Sequence, residues 1–520
     1  MDIKGVRNQQ IRVSKEQAGK VRKSDIRPEI TDKVSIGGEK SDDKSVKLNI
    51  LHMNDFHGAV EPMLDPDISK ESTVGGIAYD KTVIDTEREK NPEGTMLLNA
   101  GDIAEGTMVA YLSKGKVVTD AFKELKFDAL ALGNHDFAWG QNDLRNMVEG
   151  LDTPIVAANV TKTEDGEVMD GAKPYIMKDL NGIKVAVIGL DTPNIRHFVV
   201  DSKLEGLNFD KSADTVKKYL PEVKEKGADL VVVLSHLGAE EDKKLAKEVD
   251  GIDVIVGGHS HTVMDHGEKV GNTIIVQAGS LGRFIGNLQL DVDPTSKKIV
   301  GHNAKLIPVI TKDIKPDPQI QKILAPYLAQ AEKFGSEVMG EAKEDLHYSH
   351  REMGKLNQIH ADSICEKSGA PFGICNSRTL RGHVKKGKVT RKDLYSALPF
   401  TEEGFVTLNT QGSHIRQHIE DCLADGATEL AVPMGSLKYD YDPSKSSGQR
   451  LLSVKIDGRE MDNDKEYFVC VNETMGRHKN FASSRDKKQV GSSQDEFFSF
   501  FKTHSPWDNK IDDRINLLTD

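Results

Sequence analysis

Carboxylate, amide and imidazole side chains fall in five short islands along the first half of this chain. They are Asp55-Phe56-His57, Gly101-Asp102, Gly133-Asn134-His135-Asp136, Ser235-His236 and Gly257-Gly258-His259-Ser260-His261. Each stands just after an apolar run. Asp55 and His57 are two apart, so in an extended segment they share one side and address one ion. Gly101 permits a sharp turn that aims Asp102 outward, and a carboxylate has two oxygens with which to bridge two cations. Asn134 offers a carbonyl oxygen, and His236, His259 and His261 offer ring nitrogens. This mixture suits Mn, Zn, Fe or Co better than Ca. Two such ions roughly 3.5–4 Å apart activate a water and stabilise in-line displacement at phosphorus. His135, next to Asn134, is placed to face a substrate, steadying charge on a phosphoryl oxygen or protonating the leaving group. Any one island alone reads equally well as an ordinary turn or a hydrogen-bonded histidine. Five in this order carry the metal reading.

Strand-like apolar runs precede or flank the islands. Val46 to Met53 leads into Asp55, and further runs lie at Thr95 to Asn99, Ala129 to Leu132, Ile155 to Ala158, Val185 to Leu190, Leu230 to Leu234, Val254 to Val256 and Thr273 to Val276. Helical patterns such as Gly76 to Glu89 and Ser212 to Lys226 alternate with them, which predicts a layered α/β domain. The pattern breaks at Lys315-Pro316-Asp317-Pro318, and one amphipathic helix follows to about Gly335. A second domain then runs to the end, with a helix over Gly354 to Ser368 and strands near Phe372 to Cys375, Phe405 to Thr410, Leu451 to Ile456 and Tyr467 to Val471. The expected division is 1–46 as a disordered tail, 47–312 as the catalytic domain, 313–342 as a linker helix and 343–520 as the C-terminal domain.

A chain of 520 residues exceeds what one core usually supports, which agrees with two domains. The formal net charge of −12 argues against nucleic acid as a partner, which a basic surplus would favour. It leaves room for a small phosphoester held by metal ions or local arginines. Cys365, Cys375, Cys422 and Cys470 have no CxxC spacing and read as reduced thiols. The first 47 residues contain no apolar run suited to a signal peptide, and no stretch has the length of a membrane span. The expectation is a cytoplasmic protein with no membrane partner; oligomeric state is left open.

The five islands resemble the successive blocks of the 5′-nucleotidase family of metallophosphoesterases, and the likeness runs from about Leu48 to the C-terminus. It implies a four-layer αββα metallophosphoesterase domain followed by a smaller α+β substrate-binding domain. It implies two divalent ions, Mn, Zn, Fe, Co or Mg, with Asp55, His57, Asp102 and His261 on one and Asp102, Asn134, His236 and His259 on the other. His135 would be the catalytic histidine. In the second domain Asn376-Ser377-Arg378-Thr379-Leu380-Arg381 and Leu398-Pro399-Phe400 are similar to family segments. There Arg381 would clamp phosphate, Asn376 would hydrogen-bond the ligand and Phe400 would stack on a base. The implied substrate is a phosphomonoester, a 5′-nucleotide by the family's habit. Non-nucleotide, cyclic or diphosphate substrates, and a metal-binding interaction protein with little turnover, are the alternatives. Departures motivate them: Ala138 stands where the family has the aspartate that pairs with the catalytic histidine. Glu473 and Lys479 replace a stacking aromatic and an aspartate, and His347 replaces an arginine.

Overall fold

The computed structural model describes residues 45–399, 404–427, 429–477 and 480–518, which belong to one compact unit. The expected N-terminal tail lies outside the described residues except for its last two positions, and so do Phe400 and Lys479.

Two sheets lie face to face at the centre of the first half. The larger has seven strands in the order Ile299–Pro308, Phe284–Val292, Val46–Met53, Thr95–Asn99, Ala129–Ala131, Ile155–Val156 and Ala172–Lys173. The other has six, in the order Glu268–Val270, Thr273–Val276, Val254–Gly257, Leu230–His236, Ile183–Asp191 and Tyr175–Leu180. Alternation along each strand sends one set of side chains between the sheets and the next outward. Leu48, Ile50, Met96 and Leu98 thus meet Val185, Val187, Val232 and Leu234 in the central core. Leu51 and Met53 face the helices Ile77–Arg88 and Lys116–Leu125 on the outer side, while Val233 packs with Val216 and Leu245 of the helices Ser212–Glu225 and Ala239–Glu248. Burial on both faces makes these strands continuous apolar runs in the sequence. The result is the expected αββα sandwich.

The strands that precede the islands are parallel within each sheet. Their C-terminal ends therefore release their loops at one rim, where sites form in open α/β sheets. The hairpin Phe284–Val292 and Ile299–Pro308 adds antiparallel strands at one edge. The sequence reading placed no strands there, because the second of them is mostly solvated and carries little apolar periodicity.

The linker helix spans Pro318–Gly335, with Asp317 as its N-cap accepting from the Ile320 N–H at 2.8 Å. Its buried face, Ile320, Leu324 and Ala331, lies on the catalytic domain, and Tyr327 donates to Asp120 at 2.6 Å. The last domain is α+β. A five-stranded sheet runs Ala431–Gly435, Phe372–Asn376, Glu466–Asn472, Gly404–Gln411 and Arg485–Ser492, and a four-stranded one centres on Leu451–Ile456 and Leu437–Tyr441. The helices Lys355–Ser368 and Ser493–Thr503 pack together beside the larger sheet. All four cysteines are thiols. No helix among the described residues is long and apolar enough to cross a membrane.

Candidate metal centre

The islands converge. Ligand-type atoms of Asp55, His57 and His261 lie within 4.8 Å of one another, and so do those of Asp102, His236 and His259. His57, Asp102 and His135 form a third group that joins the other two. His236 Nε2 is 3.1 Å from Asp102 Oδ2, His57 Nε2 is 3.8 Å from the same oxygen, and His261 Nε2 is 3.2 Å from Asp55 Oδ1. Asp102 is thus the carboxylate common to both sides.

The local reason for this convergence differs from the expected one. The Asp55 to His57 segment is not extended: Asp55 has φ 49° and His57 φ 51°, and Phe56 between them is fully buried. Asp102, His259 and His261 are also left-handed, with φ of 55°, 70° and 55°. Non-glycine residues rarely adopt this conformation, and at functional sites it persists because surrounding contacts hold it. Here the backbone supplies them. Asp55 N–H donates to Gly101 O, His57 N–H to Asp102 O, and His259 N–H to both oxygens of Asp55. Ser235-His236, expected just past a strand, forms the last two residues of Leu230–His236, so the sheet itself fixes that ring. Gly133 is required by close approach. A β-carbon there would lie 2.3 Å from Asp102 Oδ1 and 2.6 Å from His236 Nε2.

Several features show that the donors fit cations. His57 Nδ1 meets Glu105 O at 2.7 Å and His236 Nδ1 meets Ala100 O at 2.6 Å, which commits both Nδ1 protons and leaves Nε2 as the electron-pair donor. Asn134 Oδ1 and His236 Nε2 are buried without a hydrogen-bond partner, although such groups ordinarily have one. Burial, then the neighbouring His135, pushes His57 down to about 4, and burial with His236 does the same to His259. Neutral imidazole is the ligating form. Burial opposes the charge on Asp102, but His236 and His135 outweigh it and hold that carboxyl well below its ordinary range. The site is a dinuclear divalent-metal centre; the donors do not select one ion.

His135 stands beside this cluster with its side chain 27% exposed, and its N–H donates to Asp102 Oδ1 at 2.8 Å. Burial lowers its affinity for a proton, but Asp102 and a hydrogen bond to Glu105 more than reverse this and raise it to about 9. Ala138 carries no carboxylate, and Asp136 does not replace one. Its two oxygens accept the N–H groups of Asp102, Ile103 and Gly133, each at 2.9 Å, and so tie two metal loops together. The ring nitrogen of His135 instead meets Glu105, a residue that the sequence reading missed. Its only sequence signal is an acid three positions after Asp102, ahead of Gly106. Phe198 was missed as well. Its ring, half exposed, lies 4.9 Å from that of His259 at 78°.

The C-terminal candidates are placed differently. Asn376 caps a short 3-10 turn by accepting from Arg378 N–H at 2.6 Å, and its amide donates to Glu429 at 2.5 Å, so both ends serve its own domain. Arg381 is exposed and its Nη1 donates to Leu380 O at 3.0 Å. Glu473 is half-buried, and burial raises its carboxyl with Arg477, Lys203 and Asp201 close by. Arg477 lies 3.8 Å from Asp201, across from the catalytic domain, where Lys203 donates to Ala138 O. Lys385, Arg391 and Lys392 are paired with Asp345, Glu337 and Glu332.

Comparison with known proteins agrees with this arrangement. Residues 48–263 match the calcineurin-like phosphoesterase family and residues 338–482 match the 5′-nucleotidase C-terminal domain. An endonuclease of Bacillus subtilis, YhcR, is 29% identical over 462 residues, covering 83% of this chain but 37% of its own length. An apyrase of Aedes albopictus is 28% identical over 482 residues, covering 83% of this chain and 84% of that one. The crystal structure of a 5′-nucleotidase precursor from Thermus thermophilus superposes with a TM-score of 0.77 at 25% identity, over 91% of this chain and 100% of that one.

Proposed function

Since the chain belongs to the 5′-nucleotidase family of metallophosphoesterases, we propose that this metal-dependent hydrolase releases phosphate from phosphomonoesters, with 5′-nucleotides as its substrate class. The observation that carries the reading is Asp102, which lies against donors on both sides of one rim, with the partly exposed His135 beside it. When bound, the two ions lower the pKa of water and neutralise phosphoryl charge. Asp55, His57, Asp102 and His261 would hold one of them, and Asp102, Asn134, His236 and His259 the other. The remaining work belongs to the chain. His135 Nδ1 is committed to Glu105, so Nε2 would be the atom that meets the phosphoryl group or the departing alkoxide. Arg381 supplies a guanidinium suited to a phosphate or a second charged group on the substrate. Phe198 offers an apolar face next to His259 on which a base or other flat group can lie.

A second reading, a phosphomonoester without a base, is favoured by Glu473. A half-buried carboxylate gives a purine no stacking surface. Phosphate release by the Mn²⁺-loaded protein from AMP, UMP, ATP, glycerol phosphate and p-nitrophenyl phosphate separates the two. The nucleotide reading expects kcat/KM for AMP or UMP at least about tenfold above glycerol phosphate, the worth of one good apolar or stacking contact. Equal values would overturn it, and cleavage confined to diesters would overturn both.

A further inference from the structure

The geometry points to Glu105 as the positioning residue for His135, delivered from the Asp102 loop in place of a carboxylate on the histidine's own turn. The inference rests on the phosphohydrolase reading for its catalytic meaning, though the contact itself does not. His135 Nδ1 lies 2.5 Å from Glu105 Oε2, and the Glu105 side chain is 4% exposed. An acceptor at this nitrogen commits the Nδ1–H and orients the ring, the same logic by which a buried carboxylate orients a catalytic imidazole in hydrolytic triads. The other nearby acids are engaged elsewhere. Asp136 holds three backbone N–H groups, and Asp102 accepts the His135 N–H while lying against His236 and His57.

The local chain explains why position 138 can lack an acid. Asn134–Phe137 is a 3-10 turn that continues into a right-handed Ala138, and in such a turn side chains three apart align. A carboxylate at 138 would thus share the face of His135, yet alanine stands there, buried, with its carbonyl held by Lys203. Glu105 reaches the same ring from the opposite loop with its longer side chain. Its main chain contributes as well, since the Glu105 carbonyl holds Nδ1 of His57 at 2.7 Å. One residue therefore sets the orientation of a metal-side imidazole through its backbone and of the substrate-facing imidazole through its carboxylate. The two rings lie 4.9 Å apart at 80°.

The test uses the full chain with Glu105→Gln, Glu105→Ala, Ala138→Asp and the double variant Glu105→Gln/Ala138→Asp. Three quantities are read: kcat and KM on AMP and p-nitrophenyl phosphate with Mn²⁺, bound Mn per chain, and the His135 tautomer by ¹⁵N-histidine spectra of the metal-free protein at about pH 10.5, where a ring that holds its second proton to about 9 is neutral. A positioning role expects Glu105→Gln to lower kcat on AMP about a hundredfold, with KM and Mn content held. The loss on p-nitrophenyl phosphate, whose leaving group needs no help, should be under about fivefold. The double variant should recover at least tenfold on AMP, and Glu105→Ala should shift the His135 tautomer. Equal losses on both substrates together with lost Mn would overturn the proposal, reducing Glu105 to a support for His57. Unchanged kcat or an unchanged tautomer in Glu105→Ala would overturn it too. If the wild-type protein cleaves no phosphoester, the functional reading fails by itself, and the tautomer still decides whether Glu105 holds His135.

Discussion

The metal rim and the C-terminal domain hold their polar side chains by different means. At the rim, orientation comes from backbone: carbonyls of Glu105 and Ala100 fix two rings, and N–H groups of His259 and His135 fix two carboxylates. Backbone partners survive when neighbouring side chains change, so the five islands can stay readable while the rest of the domain drifts. In the C-terminal domain, Asn376 depends on Glu429, and Glu473 sits among Arg477, Lys203 and Asp201. Side-chain partners are replaced one at a time, and recognition there can be rewritten without disturbing the reaction centre. The Ala138 position extends the same point. The orienting carboxylate is absent from its expected place, yet an acid from another loop touches the ring.

The contrast can be broken most sharply at the shared carboxylate. Asp102→Ala should lower kcat/KM on every phosphoester by at least about 10³-fold and remove bound metal, while the C-terminal domain remains folded. Retention of two ions per chain with normal turnover would show that Asp102 is not common to both clusters. The next effect concerns stability against acid. His52 in the catalytic domain and His360 in the C-terminal domain are buried and pushed down by burial to about 4. A depressed imidazole means the unfolded chain binds a proton that the native state refuses. Stability is therefore full above about pH 6.5 and falls as the pH drops toward 4, by up to roughly 3 kcal/mol per group. His360→Gln should remove one group's share of this fall in chemical unfolding followed between pH 7 and 4, leaving the shares of His52 and of the metal-side His57 and His259. A slope unchanged by the substitution would remove His360 from the account.

Smaller effects separate binding from chemistry. Arg381→Ala should raise KM for AMP about 10–100-fold, the range for losing hydrogen bonds to a charged group, with kcat changed much less. A fall in kcat alone would place Arg381 at the reaction centre and remove the separation between binding and chemistry. The mildest is Glu473→Phe, which restores an aromatic at the altered position. It should tighten AMP about three- to tenfold in KM relative to glycerol phosphate. No change in that ratio would mean that position 473 lies outside the base site.

Much of this was legible beforehand. The alternation of buried strands and amphipathic helices announced an αββα sandwich, and predicted elements such as Thr95–Asn99, Thr273–Val276 and Leu451–Ile456 have the expected bounds. The hairpin at 284–308 was not, because solvated antiparallel strands show little periodicity. The ligand types at 55, 57, 102, 134, 236, 259 and 261 could be chosen from their islands. The reason that Asp55 and His57 converge could not, since a spacing of two implies extended alternation and two left-handed residues achieve the convergence instead.

The sequence by itself determined which donors this chain has and which strands end beside them, because burial periodicity and turn formers are local. Only the tertiary structure decided which side chain meets which. Glu105 and His135 are thirty positions apart on separate loops, and a contact of 2.5 Å between them depends on how two parallel strands bring those loops to one rim. No local rule encodes that register.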